Sequence, residues 1–276
     1  MSLLRCGRFQ LDLSRPRVMA IVNLTPDSFS GDGVGSDLAA ALARAEAALE
    51  AGADILDLGA ESTRPGSDPV SEAVEIARIV PVVRALAEWR VPISVDTLKP
   101  AVMHAALEAG ADLINDVNGF RAPGAVEAVR DGDAALCVMH MQGEPRTMQA
   151  DPQYRDVVGE VAAFLDERVA ILCAAGVARE RIVLDPGFGF GKTLAHNLTL
   201  FAHMDRLGSA GLPVLAGVSR KSMLGAITGR PVDQRLGASV AAALLAVQKG
   251  ARIVRVHDVA DTVDALKVLE AVQSAA

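Results

Sequence analysis

Glu50-Ala51-Gly52-Ala53-Asp54 runs straight into Ile55-Leu56-Asp57-Leu58-Gly59, and Glu108-Ala109-Gly110-Ala111-Asp112 runs into Leu113-Ile114-Asn115-Asp116-Val117. In both, a helical stretch closes on a Gly at the position just past a helix end, then gives way to a short apolar run. Lys249-Gly250-Ala251 repeats the joint. Working outward, such runs recur at 17–23, 54–59, 91–96, 112–117, 134–140, 181–186, 213–219 and 251–257. They are near-continuously apolar rather than alternating, as expected of strands covered on both faces in a parallel sheet. Between them lie Ala/Leu/Glu/Arg-rich stretches with helical spacing, among them 36–51, 71–89, 99–109, 156–175 and 233–249. Eight β-α units with no Ser/Gly-rich linker predict an α/β fold, a single (β/α)8 TIM barrel over residues 1–276 rather than an open doubly wound sheet.

Composition agrees with one large core. Of 276 residues 51% are hydrophobic but only 3% aromatic, so the core must be built from Ala, Val, Leu and Ile rather than rings. The net charge of −7 and the lack of any basic block remove the counterion-release term that drives nucleic-acid binding. A small anionic ligand held by local cations remains open. Cys6, Cys137 and Cys173 are odd in number and far apart, which argues against a disulfide framework or a paired-ligand zinc site and suits a reducing compartment. Residues 1–17 carry four Arg and no continuous apolar stretch, and the longest apolar run, 238–247, is too short to span a bilayer. The expectation is a soluble cytoplasmic protein that contacts neither membrane nor nucleic acid.

Polar residues gather where the strands end: Asn23, Glu61 to Arg64, Asp96, Asn115 and Asp116, His140, Asp185, Ser219 to Ser222, Arg255 and His257. The C-terminal mouth is where such barrels place their chemistry. Any one of these residues could simply cap the next helix, Asp96 among them, and the weight lies in the set.

The segment Asp185-Pro186-Gly187-Phe188-Gly189-Phe190-Gly191-Lys192-Thr193 fails as a Walker A loop, since Pro186 stands where the first Gly belongs. It fails as a dinucleotide fingerprint too, because its third Gly comes one residue early. Two readings stay open: glycines that let a flat ligand approach the backbone, or a plain flexible loop around a helix N-terminus. Ser219-Arg220-Lys221-Ser222 joins two cations to a helix start that can receive an anion. Arg255 and His257 share a strand face. His104, His196 and His203 fall on crossover helices as ordinary surface or packing residues. No Cys/His cluster suggests a transition metal, so a bound metal would be Mg2+ held by oxygen ligands and substrate phosphates.

With these residues assembled, the chain resembles the dihydropteroate synthases of the pterin-binding barrel family almost end to end. The segments that carry the resemblance are Asn23-Leu24-Thr25-Pro26-Asp27-Ser28-Phe29-Ser30, Glu61-Ser62-Thr63-Arg64-Pro65-Gly66, Ser94-Val95-Asp96-Thr97, Ile114-Asn115-Asp116, Met139-His140-Met141, Leu184-Asp185-Pro186-Gly187 and Ser219-Arg220-Lys221-Ser222. The resemblance implies condensation of 7,8-dihydropterin-6-ylmethyl diphosphate with 4-aminobenzoate, with Mg2+ required and a homodimer as the usual assembly. It implies Asp185, Asn115 and Asp96 on the pterin's hydrogen-bonding edge, with Lys221 on its acceptors. Arg255 and His257 would face the diphosphate, and Asn23 would help hold Mg2+. Phe29, Thr63, Arg64 and Pro65 would build the aminobenzoate pocket, with Ser222 receiving the carboxylate. Asp96, Lys221, Arg255 and His257 are the catalytic candidates.

One departure is visible: Ser30-Gly31-Asp32-Gly33 moves the acid one position from the family's usual Ser-Asp-Gly-Gly, which leaves Asp32 a doubtful contributor on the metal side. Two rivals share the barrel mouth, a pterin-binding methyltransferase and a non-catalytic pterin or phosphate binder. Release of diphosphate separates them from a synthase.

Overall fold

The computed structural model describes residues 3–24, 34–61, 69–207 and 211–275, the side chains of 34–37 excepted. It opens with β1 (Leu3–Cys6) and β2 (Phe9–Asp12), an antiparallel hairpin. Eight strands then close a parallel barrel: β3 (Arg17–Asn23), β4 (Ile55–Gly59), β5 (Ile93–Asp96), β6 (Leu113–Asp116), β7 (Ala135–Met139), β8 (Ile182–Asp185), β9 (Val214–Ala216) and β10 (Ala251–Val256). Each lies inside a run expected from sequence, and β10 pairs with both β9 and β3. The helices outside are α1 (Val34–Glu50), α2 (Glu72–Leu86), α3 (Pro100–Ala109), α4 (Ala125–Arg130), α5 (Val157–Ala174), α6 (Leu194–Ala202), α7 (Ser222–Thr228), α8 (Leu236–Gln248) and α9 (Val259–Ser274).

Local chemistry sets the helix ends. The Ser71 hydroxyl accepts from the Val74 N–H at the start of α2, and the Asp156 carboxylate accepts from Gly159 N–H at the start of α5. Between α3 and β6, Gly110 ends the helix at φ 108°, a left-handed conformation that a side chain would oppose. The stretch expected to be one helix from 233 begins instead as a 3-10 turn over Val232–Gln234, and α8 proper starts at Leu236. None of the helices described is long and apolar enough to cross a membrane.

Strand parity explains why the strands look apolar throughout. Outward side chains such as Val22, Leu56, Val95, Ile114, Leu136, Leu184 and Val254 pack under the helices in one large cluster. The inward set at the lower level, Met19, Ile55, Leu113, Cys137, Val183, Leu215 and Ile253, forms a second, separate cluster together with Leu4, Cys6, Leu11 and Leu13. The hairpin therefore plugs the N-terminal floor of the barrel. Sequence reading missed it, although Leu4 and Cys6 face Leu11 and Phe9 across the Gly7-Arg8 turn.

The plug is tied down by charge. Asp112, 1% exposed, accepts from the Ile93 N–H, from the Arg8 N–H, and from the Arg8 guanidinium at 2.7 and 2.9 Å. Arg8→Ala leaves that buried carboxylate with its two backbone donors alone, and is expected to cost about 2 kcal/mol in urea unfolding. An unchanged midpoint would mean that the hairpin is held by its leucines only.

Candidate active site

Two residues further up most of the inward rows, the chemistry changes. Ile55 is followed on the same face by Asp57, Leu113 by Asn115, Val183 by Asp185, Leu215 by Gly217 and Ile253 by Arg255, while Ser94 leads to Asp96. The sequence thus stacks a polar layer directly on an apolar one, at the C-terminal end of the strands.

Within this layer the Arg255 guanidinium bridges two acids. Its Nε donates to Asp57 at 2.6 Å and its Nη2 to Asp96 at 2.8 Å, and Asp57 also accepts from the Ser94 hydroxyl. Asp57 is fully buried and stands mid-strand among leucines and isoleucine. It was missed from sequence, although a carboxylate inside an apolar strand demands a buried partner. Burial pushes Asp96 upward, and Asp57, Asp116 and Glu75 add to this, against the pull of Arg255.

Asp185 is 5% exposed and raised by burial. The Gly187 N–H at 2.7 Å and the cations Lys221, Arg255 and Lys192 oppose that rise. Lys221 is pushed down to about 8, first by burial and then by Arg255, with Asp185 and Asp96 opposing. Its Nζ lies 4.1 Å from the centre of the Phe190 ring, a cation–π distance. Asn115 is 3% exposed and its amide oxygen has no partner among the described residues. A buried acceptor left open in this way is a demand for a donor. Val117, Met139, Met141, Met148 and Phe190 cluster beside the layer, so an apolar wall stands next to a ring of hydrogen-bonding groups.

Several residues singled out at the strand ends point elsewhere. Asp116 shares the outward parity of Ile114, and its carboxylate accepts from the N–H groups of Asn118 and Phe120 in its own loop. His140 follows Val138 outward and sits edge-on to Phe164 of α5, ring centres 4.9 Å apart. Arg220, expected as half of a cation pair, has φ 57° and pairs with Asp258, its Nε donating at 3.0 Å, which leaves Lys221 as the cation of that segment facing Asp185. Glu61 pairs with Lys99 at 2.6 Å.

The glycine loop also has a different reason for its glycines. A Cβ on Gly187 would stand 1.9 Å from the His140 carbonyl oxygen, and one on Gly191 would stand 2.4 Å from that of Gln142. The close approach is to the chain's own backbone. The loop is firmly bonded besides: the Gly189 N–H donates to Asn197 at 2.8 Å and the Tyr154 hydroxyl donates to the Gly191 carbonyl at 2.8 Å. Of the three scattered His residues, His104 is exposed on α3, His196 closes the capping box of α6 with Thr193, and His203 ends that helix.

At the rim, His257 lies beside Ser219, Nδ1 to Oγ 3.1 Å, and Ser222 is exposed at the start of α7. Asn23 is exposed at the end of β3, and its carbonyl accepts from Arg44. Phe29, Asp32, Thr63, Arg64 and Pro65 lie outside the described residues. Among the described residues no group of three His, Cys, Asp or Glu side chains could hold a metal ion. Asn23 offers one neutral oxygen, which suits Mg2+ only where phosphate oxygens and water supply the remaining ligands.

A family model described as "Pterin binding enzyme" matches residues 19–257. A dihydropteroate synthase of Neisseria meningitidis serogroup C is 55% identical over 272 residues, covering 97% of this chain and 96% of the relative. The crystal structure of Burkholderia cenocepacia dihydropteroate synthase complexed with 7,8-dihydropteroate superposes with a TM-score of 0.92 at 55% identity, covering 99% of this chain and 97% of that one. The Xanthomonas albilineans dihydropteroate synthase with 4-aminobenzoic acid gives 0.92 at 51% identity, covering 99% and 98%.

Proposed function

The chain belongs to the pterin-binding enzyme family and, within it, to the dihydropteroate synthases, and from that premise we propose how its barrel mouth divides the work. The reaction is the transferase step of folate biosynthesis that joins 7,8-dihydropterin-6-ylmethyl diphosphate to 4-aminobenzoate, giving 7,8-dihydropteroate and diphosphate. The observation that carries the residue assignment is the unpartnered amide oxygen of buried Asn115, set in one layer with Asp96, Asp185 and Lys221.

A 2-amino-4-oxopyrimidine edge presents adjacent N–H donors. Asp185 answers them with a charge-assisted pair, the Asn115 oxygen takes another donor, and Lys221 donates to the ring acceptors. Asp96 completes the in-plane contacts. A molecule without that edge would leave these groups buried and unpaired, which supplies the selectivity.

The C–O bond to the methylene carbon breaks first, and its electron pair leaves with the diphosphate. The cation left on the methylene is shared with the pterin ring, and the Asp96 carboxylate stands by it. The weak aromatic amine then forms the C–N bond and its surplus proton passes to solvent. No side-chain nucleophile takes part.

Arg255 and His257 lie on one strand face leading to the rim, which supports placing the diphosphate over them. Asn23 would be one oxygen ligand of a Mg2+ ion, whose chemistry when bound is to neutralise diphosphate charge. Phe29, Thr63, Arg64 and Pro65, with Ser222, are assigned to 4-aminobenzoate. The exposed apolar side chains Ile227, Val232, Leu236 and Leu245 support a homodimer through α7 and α8. The unpaired thiols of Cys6, Cys137 and Cys173 suit a cytoplasmic location.

Diphosphate release on mixing both substrates with Mg2+ tests the reading; tight pterin binding without release would leave a binder only. Protonation adds a second check. The ammonium form of Lys221 donates to the pterin, and that form is lost as pH rises through about 8. The Kd for the pterin diphosphate is therefore expected to rise up to about tenfold per pH unit above that point, by linkage. In Lys221→Met the same calorimetric titration should be weak and lack the break near 8, and a wild-type profile without that break would remove Lys221 from the contact.

A further inference from the structure

Lys192 is a buried ammonium that the reaction does not obviously use. It is 3% exposed, and among the described residues none of its hydrogen bonds goes to a carboxylate, although Asp185 acts on it through space. Its three donors meet three neutral acceptors instead: His140 Nδ1 at 2.9 Å, the Gly187 carbonyl at 2.9 Å and the Phe190 carbonyl at 3.1 Å. Burying a cation on such terms is expensive, and a turn could be held more cheaply by a neutral side chain. The location of the bonds supplies a reason. Gly187 is the residue whose N–H donates to Asp185, and Phe190 is the residue whose ring lies against the Lys221 ammonium. The Lys192 charge also favours the ionised form of Asp185, behind Lys221 and Arg255.

We propose that Lys192 is a positioning residue for pterin binding: it fixes Gly187 and Phe190, and through them orients Asp185 and Lys221, with neutral His140 as its third acceptor. Its surroundings agree with that division of charge. His140 is pushed down to about 2 by burial and by the charges of Lys192 and Arg121, so the imidazole is neutral and its Nδ1 accepts. Lys192 itself is pushed down to about 7 by burial, with Asp185 opposing and Lys221 adding, so the ammonium prevails below that point and the binding titrations are run at about pH 6. Tyr154 stands beside His140, ring centres 6.1 Å apart, but bonds the loop one residue away, at Gly191. It therefore serves as the control for a tether that lacks the charge.

The inference rests on the pterin assignment above, and the experiment keeps the two apart. Calorimetry with the pterin diphosphate and steady-state kinetics for both substrates are run on Lys192→Met, Tyr154→Phe and Asp185→Asn. Lys192→Met is expected to raise the pterin Kd and KM at least about tenfold, the scale of one lost charged hydrogen bond, and to change the 4-aminobenzoate KM at saturating pterin less than about threefold. Tyr154→Phe should stay within about twofold for pterin, since its hydroxyl touches neither Gly187 nor Phe190. Wild-type pterin affinity in Lys192→Met, or an equal loss in Tyr154→Phe, overturns the proposal. Were Lys192→Met unable to fold, His140→Leu, which removes an acceptor, should weaken pterin binding while His140→Asn, whose Oδ1 stands where Nδ1 did, restores it; equal affinities overturn it as well. Wild-type binding in Asp185→Asn would discard the pterin assignment itself, whereas loss there beside wild-type binding in Lys192→Met discards the role of Lys192 alone.

Discussion

Asp185→Asn is expected to lower kcat/KM about 10^3-fold or more, with the melting temperature nearly unchanged. The substitution keeps shape and keeps an oxygen to accept the Gly187 N–H at 2.7 Å, so the turn survives. What disappears is the charge and one acceptor, and a side-chain N–H is set against the ligand's own donors. Sites built to pair a polar edge discriminate by about 10^4 to 10^5 when the pairing fails, so 10^3 is a lower figure for a partial loss. Steady-state kinetics with varied pterin diphosphate, beside a thermal melt, decides it. Near-normal kcat/KM would mean that the heterocycle does not present its donors to Asp185.

Arg255→Leu is expected to damage folding as well as activity. The guanidinium is the cation that bridges Asp57 and Asp96, and Asp57 is completely buried. Removing one partner of such a group typically costs about 3–5 kcal/mol, because a charge is left uncompensated. The sign of the pH effect follows from Asp96, whose pKa is already raised in the folded protein. A raised carboxyl binds its proton more tightly in the folded state than in the unfolded one, so stability falls as pH climbs above the ordinary carboxylate range. Without Arg255 the rise is larger, and the variant's deficit should be greater at pH 8 than at pH 5. Urea unfolding at both values measures it. Asp57→Asn placed in the same chain should recover part of the stability but none of the turnover. A deficit equal at both pH values would show that the acids do not carry the cost.

Much of this architecture was legible because a parallel barrel writes itself as repeated apolar runs joined by Gly turns. The mouth was legible because Asp96, Asn115, Asp185 and Arg255 end their strands. What went unseen has physical reasons. Asp57 hides in the middle of a strand, where strand-end reasoning does not look. Asp116 and His140 end strands too, but with the wrong parity, and counting alternate residues from Ile114 and Val138 would have turned them outward. Arg220 was misread because a left-handed backbone, unusual for a residue with a side chain, swings it toward Asp258. The hairpin at residues 3–12 belongs to no β-α unit, so the repeat could not announce it. The glycines of the 187–191 loop answer to a crossing of backbones far apart in sequence, which no local pattern records.

The hairpin plug gives the barrel a sealed bottom. Leu4, Cys6, Leu11 and Leu13 fill it from below and, with the apolar layer above them, close that end of the barrel among the described residues. Ligands are then received at the mouth, the end that carries the polar layer. If the pterin diphosphate sits deepest, as proposed, it would enter ahead of 4-aminobenzoate, and dihydropteroate would leave by the way both came in. The direction of approach is thus set at the opposite end of the molecule from the chemistry.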